Sequence, residues 1–372
     1  MYCQQLRLHN FRAYGDLALD LPAGLCVLLG PNAAGKTSLL EAIHLVATTK
    51  SPRTTSDAEL IRWGETVTRA EGGFLSHEGR TLRLAAALQK NGGEGLTKRL
   101  EVNGEAVDSA RDVVSLAPVV MFGPDDLSLI KAGPGERRRF LNTALSQLQP
   151  RYLDDLMRYR RALRQRNELL RSLRDGGRDF AAVQPWTEQL VRSGAALALD
   201  RKRFVADVGR HARELHGTIG AGEELSLAYR GDLAEAEGAM QAEACFRERL
   251  DDLADLEARR GTTLAGPHRD EVVVELDDAA VRTFGSQGQQ RTAALSLKLA
   301  QARVTQEWTE EPPLLLLDDC LSELDASRAR AVLDLGGGLD GMIVTSAKLD
   351  SALVERTDAA RFEVGQGQVR PA

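Results

Sequence analysis

Cysteine is scarce in this sequence: Cys3, Cys26, Cys245 and Cys320 are scattered over 372 residues, with no C-x-x-C and no Cys/His cluster. That spacing excludes a disulfide framework and a structural zinc site, and points to the reducing cytoplasm. Aromatic residues make up 5% of the chain. Their placement suggests no platform stacking successive bases of a single strand, so a nucleic-acid partner, if there is one, would be held by its duplex backbone. No apolar run approaches the roughly 18 residues that cross a bilayer. The opening MYCQQLRLHNFR lacks the basic-then-apolar order of a secretory signal. A membrane partner is not expected.

What remains is an ordinary soluble composition, 43% hydrophobic and 27% charged, with a net charge of −6. The charge is segregated. Lys131 to Glu214 holds nineteen basic against ten acidic residues, and Leu215 to Arg260 holds eleven acidic against five basic. A chain of this length allows two or three domains. Residues 1–134 alternate short apolar runs with Gly-rich turns and read as strands and helices, several of them antiparallel strands with Asn-Gly breaks. Residues 135–260 read as almost wholly helical. Leu156, Tyr159, Leu163, Arg166, Leu170 and Leu173 make a heptad seam with one charged interruption. A break at Asp175-Gly176-Gly177 precedes a second pattern through Trp186, Leu190, Leu197 and Phe204. Together they predict a helical hairpin of about 25 residues per arm, or about 35 Å. Residues 261–372 return to strand–turn–helix alternation.

Three motifs carry chemistry. Gly30-Pro31-Asn32-Ala33-Ala34-Gly35-Lys36-Thr37 matches G-x-x-x-x-G-K-[ST] between an apolar strand and the helix opened by Ser38. Its glycines turn backbone N–H groups toward a triphosphate, Lys36 bridges the outer phosphates, and Thr37 ligates Mg²⁺. Leu314-Leu315-Leu316-Leu317-Asp318-Asp319 is a buried strand ending in two carboxylates, where ligands bind in α/β sheets. Asp318 would complete the Mg²⁺ shell and Asp319 would orient the attacking water. Ser286-Gln287-Gly288-Gln289 opens a further helix, whose plain alternative is an N-capped core helix. Its hydroxyl, bare backbone and helix dipole suit a γ-phosphate. One phosphate tail cannot use two helix N-termini of the same chain, so this stretch implies ATP held between two copies. Asp325, in Ser322-Glu323-Leu324-Asp325, is a second acidic step or a helix cap.

Together these motifs look like an ABC-type ATPase head of the SMC-like branch. The fuller match is to the RecF family, which LRLHNFRAYGDLALDLPAG, PDDLSLIKAGPGERRRFLN, TTLAGPHRDE, SQGQQRTAALSLKLA and LLLLDDCLSELD all resemble. The resemblance implies a head with a mixed or parallel sheet and an antiparallel β-subdomain, split as residues 1–134 and 261–372 around an inserted helical domain. It implies an ATP-dependent homodimer binding duplex DNA or single/double-strand junctions, with single strands a further candidate. It also implies the mediator partners RecR and RecO, gap repair and the SOS response. Three departures from the general ABC pattern point to slow hydrolysis, below about 10 s⁻¹. Asp319 stands where most members have glutamate. No histidine follows GMIVTS, leaving Thr345 or Ser346 as weak substitutes, and Met121 to Asp126 contains no glutamine.

Arg12 and Arg53 are candidates for nucleotide or DNA contact, or solvated loop arginines. His268 and Arg269 fit packing better than a DNA groove. Arg158, Arg161, Arg164 and Arg171 on the first arm either track a DNA backbone or are solvated. The rival classes are the ATPase subunit of a membrane transporter, whose Walker motifs would lie closer together, a DNA-binding structural protein with a vestigial nucleotide site, and a short-armed SMC-like protein of another repair pathway.

Overall fold

The computed structural model describes residues 1–372 apart from 93–94, 176–180, 221, 337 and 350. The expected Gly176-Gly177 break lies outside the described residues. Two compact units emerge. The first comprises residues 1–127, 214–222 and 291–372, the second residues 128–213 and 223–290. The unit boundary at 290/291 lies thirty residues beyond the sequence-based one at 260/261, because the EVVVEL strand pairs inside the second unit.

In the first unit the chain lays down β1 (Tyr2–Phe11), β2 (Tyr14–Asp20), β3 (Gly24–Leu29), β4 (Val67–Leu75), β5 (Thr81–Lys90), β6 (Leu96–Val102), β7 (Glu105–Val107) and β8 (Val119–Phe122). The second unit contributes β9 (Leu225–Arg230), β10 (Glu271–Leu276) and β11 (Ala279–Ala280). The first then adds β12 (Leu314–Asp318), β13 (Gly341–Ser346), β14 (Ala360–Gly365) and β15 (Gln368–Pro371). Two six-stranded sheets result there. One, ordered β2-β1-β4-β5-β6-β7, is antiparallel throughout. The other, ordered β15-β14-β3-β13-β12-β8, is parallel except at its β14–β15 edge.

Helix Lys36–Thr48 lies between these sheets and is buried at every position except Thr37. Its apolar residues meet both sheets, while Thr37, Glu41, His44 and Thr48 form a polar stripe at helical spacing. Leu39, Leu40, Ile43 and Val46 share one core with Leu6, Phe74 and Leu84 of the antiparallel sheet and with Leu28, Leu316 and Ile343 of the parallel one. The helix that follows the phosphate-type loop is thus the central beam of this unit. No helix is long and apolar enough to cross a membrane among the described residues.

The second unit holds three long helices, with the 15-residue helix Pro134–Leu148 packed on the first of them, beside a small sheet, β11-β10-β9. Helix Pro150–Arg174 has the expected 25 residues and starts at a proline, where a missing N–H costs nothing. The next helix, Gln184–Ile219, has 36 residues against the expected 25. The two run antiparallel, since Arg151 bonds Asp200 while Arg166 bonds Thr187. A third helix, Ala239–Arg260, packs on the first. Strand β9 sits inside the stretch expected to be almost wholly helical. Its period-2 LSLAYR is too short to stand against the helices around it in a window count, and its partner β10 lies 40 residues further on.

Candidate functional site

β3 delivers the chain to Gly30, and the turn Gly30–Gly35 hands it to the helix beginning at Lys36. Gly35 adopts φ 106°, a conformation that favours glycine, and the Tyr14 hydroxyl donates to its carbonyl at 3.1 Å. A Cβ on Gly30 would stand 2.2 Å from the Val364 carbonyl oxygen, so backbone of β14 closes on this position. Pro31, Asn32 and Ala33 are exposed, Ala34 and Gly35 half-buried, and Ser38 buried behind them. Lys36 is 7% exposed, and its ammonium donates to the carbonyls of Gly30 (2.7 Å) and Pro31 (2.9 Å). Burial lowers its pKa from the ordinary lysine value, partly offset by Asp319 and then Asp318.

β12 lies between β8 and β13, so its C-terminal end is buried and faces the same loop. Thr37 donates its hydroxyl to Asp318 Oδ1 at 2.9 Å, and Thr345 donates to the same oxygen at 2.7 Å. Thr345 also accepts the Asp319 N–H at 2.9 Å. Asp319 has φ 47° and a buried Oδ1 without a hydrogen-bond partner. Phe122, Gly123, Pro124, Leu127, Arg291 and Cys320 line the hollow around the two aspartates. Burial holds the Cys320 thiol protonated, with its pKa pushed up to about 12. Where the sequence lacks a glutamine, Asp126 accepts the Gly123 N–H at 2.9 Å and pairs with Lys298 at 3.4 Å. Lys36, Thr37, Asp318, Asp319 and Thr345, distant in sequence, are therefore one cluster at the ends of β3, β12 and β13.

Arg12 and Arg53 converge on Glu41, a fully buried carboxylate of the helix Lys36–Thr48. Arg12 grips it with Nε at 2.9 Å and Nη2 at 2.7 Å, and donates a third bond to the Glu59 carbonyl. Ser51 adds a hydroxyl to Glu41, and Arg53, 44% exposed, lies 3.7 Å away. Arg12 is therefore not a solvated loop residue, whereas Arg53 stays exposed in its loop with only the longer contact. The signal missed in the sequence was Glu41 itself, a carboxylate between Leu40 and Ala42 in the buried middle of the helix.

The stretch Ser286–Gln289 belongs to the second unit. Helix Gln287–Thr309 starts where expected, with Ser286 as its cap. The Ser286 hydroxyl accepts the Gln289 N–H at 3.3 Å while Gln289 accepts the Ser286 N–H at 2.8 Å, a reciprocal capping box. Ser286, Gln287 and Gly288 are exposed, and a Cβ on Gly288 would meet open space. Glu223 holds the Gln289 amide at 2.9 Å. Asp325 caps helix Ala326–Gly336 through the N–H groups of Ser327 and Arg328, and the Ser327 hydroxyl foremost holds its carboxyl below the usual range.

Part of the charge segregation lies on two helices of the second unit. Arg158, Arg161, Arg164 and Arg171 are exposed on Pro150–Arg174, and Glu248, Asp251, Asp252 and Asp255 on Ala239–Arg260. Arg161 lies over the Trp186 ring at 6.0 Å. His268 is a packing residue, bonded to the Tyr159 hydroxyl at 2.7 Å and the Thr263 carbonyl at 3.2 Å, while Arg269 is exposed.

Residues 5–111 match the AAA domain family. The chain is 38% identical to the DNA replication and repair protein RecF of Exiguobacterium sp., covering 99% of both chains. It is 42% identical to the protein of that name from Salinibacter ruber, over 98% of this chain and 86% of the other. Among solved structures, the recombination mediator protein RecF-ATP in the RecFOR pathway superposes with a TM-score of 0.90 at 28% identity, covering 100% of this chain and 97% of that one. An Smc head domain from Pyrococcus furiosus shares the fold, with a TM-score of 0.58 at 15% identity.

Proposed function

The chain belongs to the RecF family, and from that premise we propose that it is an ATP-dependent DNA clamp of recombinational gap repair, acting in the cytoplasm. Two copies bind duplex DNA or single/double-strand junctions, close on two ATP molecules, and open again after slow hydrolysis. RecR and RecO are its mediator partners in loading recombinase on single strands.

The observation that carries this reading is the convergence of Lys36, Thr37 and Asp318 beside Asp319. ATP and Mg²⁺ fit these residues. Asp319 keeps a buried, unpartnered oxygen at the hollow, and Thr37 and Asp318 present adjoining oxygens. No cluster of three or more His, Cys, Asp or Glu suited to a metal occurs among the described residues. Magnesium does not need one, since it binds through one or two protein oxygens, phosphate and water. When bound, it would neutralise phosphate charge between Thr37 and Asp318. The loop from Gly30 to Lys36, with Ser38 behind, would hold the phosphates through N–H groups such as those of Asn32, Ala33 and Gly35, Pro31 having none, and Lys36 would exchange its carbonyl partners for them. Asp319 orients water. The exposed Ser286, Gln287 and Gly288, with the half-buried Gln289 behind them, serve the partner copy's nucleotide, with Asp325 beside that contact, and Arg12 and Arg53 lend positive charge next to the loop.

The test is the molar mass in solution without nucleotide, with ADP and with ATP, for wild type and Ser286→Arg. Mass that doubles only with ATP, and only with Ser286 intact, is the expected result. Unchanged mass, or doubling that survives the substitution, would remove the clamp reading.

A further inference from the structure

We infer that Thr345 is the positioning residue that sets both aspartates of the site, taking over in this chain the place left by the missing histidine. The inference rests on the nucleotide reading of the loop and deepens it.

The strand register brings Thr345 to this place. β12 and β13 pair in parallel with Asp318 opposite Thr345, so the two residues are neighbours across the ladder at the strand ends. Thr345 is fully buried, so its hydroxyl must be satisfied from within the fold. A hydroxyl has one proton to give and lone pairs to accept. Here the proton goes to Asp318 Oδ1 at 2.7 Å, and a lone pair takes the Asp319 N–H at 2.9 Å. Both bonds fix the same dipeptide from the same atom.

Each bond has a consequence for the chemistry. Asp318 Oδ1 receives two hydroxyls, from Thr37 and from Thr345. Thr37 is the one that the nucleotide reading commits to the metal, so Thr345 remains as the donor that keeps the carboxylate oriented. Asp319 needs holding more than most residues. At φ 47° it occupies the left-handed region that non-glycine residues seldom adopt. Its N–H bond to Thr345 pins that conformation, and with it the direction of a carboxylate whose Oδ1 is buried and unpartnered. An aspartate, one methylene shorter than the glutamate usual in related ATPases, has less reach to correct a misplaced backbone. Ser346, the other candidate substitute, turns instead to the Lys348 carbonyl at 2.7 Å and serves the turn after the strand.

Thr345→Val keeps the branched shape that suits a buried strand and removes both bonds, while Thr345→Ser keeps the hydroxyl. Three quantities separate the possibilities: the affinity for ATP titrated with and without Mg²⁺, ATP-driven doubling of mass, and single-turnover hydrolysis. For Thr345→Val the expected result is ATP affinity within about threefold of wild type without Mg²⁺ and a smaller gain on adding Mg²⁺. Doubling should persist, with hydrolysis slower by roughly 10- to 100-fold, the range for groups that orient a metal ligand. Thr345→Ser should recover most of both effects. Hydrolysis and Mg²⁺ gain unchanged in Thr345→Val would overturn the inference. So would a serine variant as impaired as the valine one while both melt like wild type. Lys36→Ala is the control for the underlying reading. If it leaves ATP affinity intact, the site itself is misassigned; if it abolishes binding while Thr345→Val changes nothing, only the positioning role falls.

Discussion

Glu257→Leu, in the helical bundle, should be among the most damaging single substitutions away from the nucleotide site. Arg166 is 5% exposed and Glu257 fully buried, with 2.7 Å between Nη2 and Oε2. Arg166 also donates to the hydroxyls of Thr187 at 3.0 Å and Thr263 at 2.8 Å, and Glu257 Oε1 accepts the Leu264 N–H at 2.6 Å. Removing one partner of a buried pair costs about 3–5 kcal/mol, because the other charge stays buried. The lower end applies here, since Arg166 keeps its two threonines and the Oε2 contact is not aligned as a hydrogen bond. The stranded Leu264 N–H adds about 1 kcal/mol, for a total of about 4 kcal/mol. With a urea slope of about 2–3 kcal/mol/M, the midpoint should fall by about 1–2 M. The assay is urea unfolding in a Trp63→Phe, Trp308→Phe background, which leaves Trp186, beside Thr187 on the bundle, as the fluorescent reporter. Arg166→Met with Glu257→Leu removes both charges and should return to within about 1 kcal/mol of wild type. A loss under 1 kcal/mol for the single variant, or a double variant equal to the sum of its parts, would refute the reasoning.

Acid should destabilise both units. Burial depresses His44 and His268 from the ordinary 6.5 to about 4, so each is neutral when folded. Their stabilisation is fully present above pH 6.5 and is lost as pH falls toward 4, at about 1.4 kcal/mol per pH unit for each histidine. Unfolding midpoints measured between pH 7 and 4.5 should show a flatter dependence for His268→Gln. Gly30→Ala should cost about 1–3 kcal/mol and displace the loop, because its methyl meets the Val364 carbonyl of β14; thermal melting with wild-type midpoint and wild-type ATP affinity would contradict this. Replacing Arg158, Arg161, Arg164 and Arg171 together with Gln should weaken duplex binding equally across sequences and flatten its salt dependence, read by fluorescence anisotropy from 50 to 200 mM salt (about 0.9 in log–log slope per lost phosphate contact). An unchanged slope would place the DNA elsewhere.

The phosphate-type loop was legible because its chemistry is local. Gly30 to Thr37 need only a preceding strand and a following helix, and both are written in adjacent residues. The same holds for Ser286 at its helix start and for the 25-residue first arm, whose heptad pattern survives a single charged interruption. That interruption shows where local reading stops. Arg166 looked like a flaw in an apolar seam, and only the arrival of Glu257, Thr187 and Thr263 makes it a buried hub.

By itself, then, the sequence determined the loop, the acidic strand end and the capped helix, since each is fixed by covalent neighbours within about a dozen residues, and the fold class through the resemblance these motifs carry together. Tertiary structure alone decided which residues complete them. Thr345 meets Asp318 through strand order, Tyr14 reaches Gly35 through the fold of a hairpin, and Glu41 collects Arg12 and Arg53 from two loops. Strand β9 found its identity only in β10. The physical reason is the same in each case: hydrogen bonds and ion pairs of buried groups must be satisfied, and their partners come from wherever the packing places them, not from the next residue along.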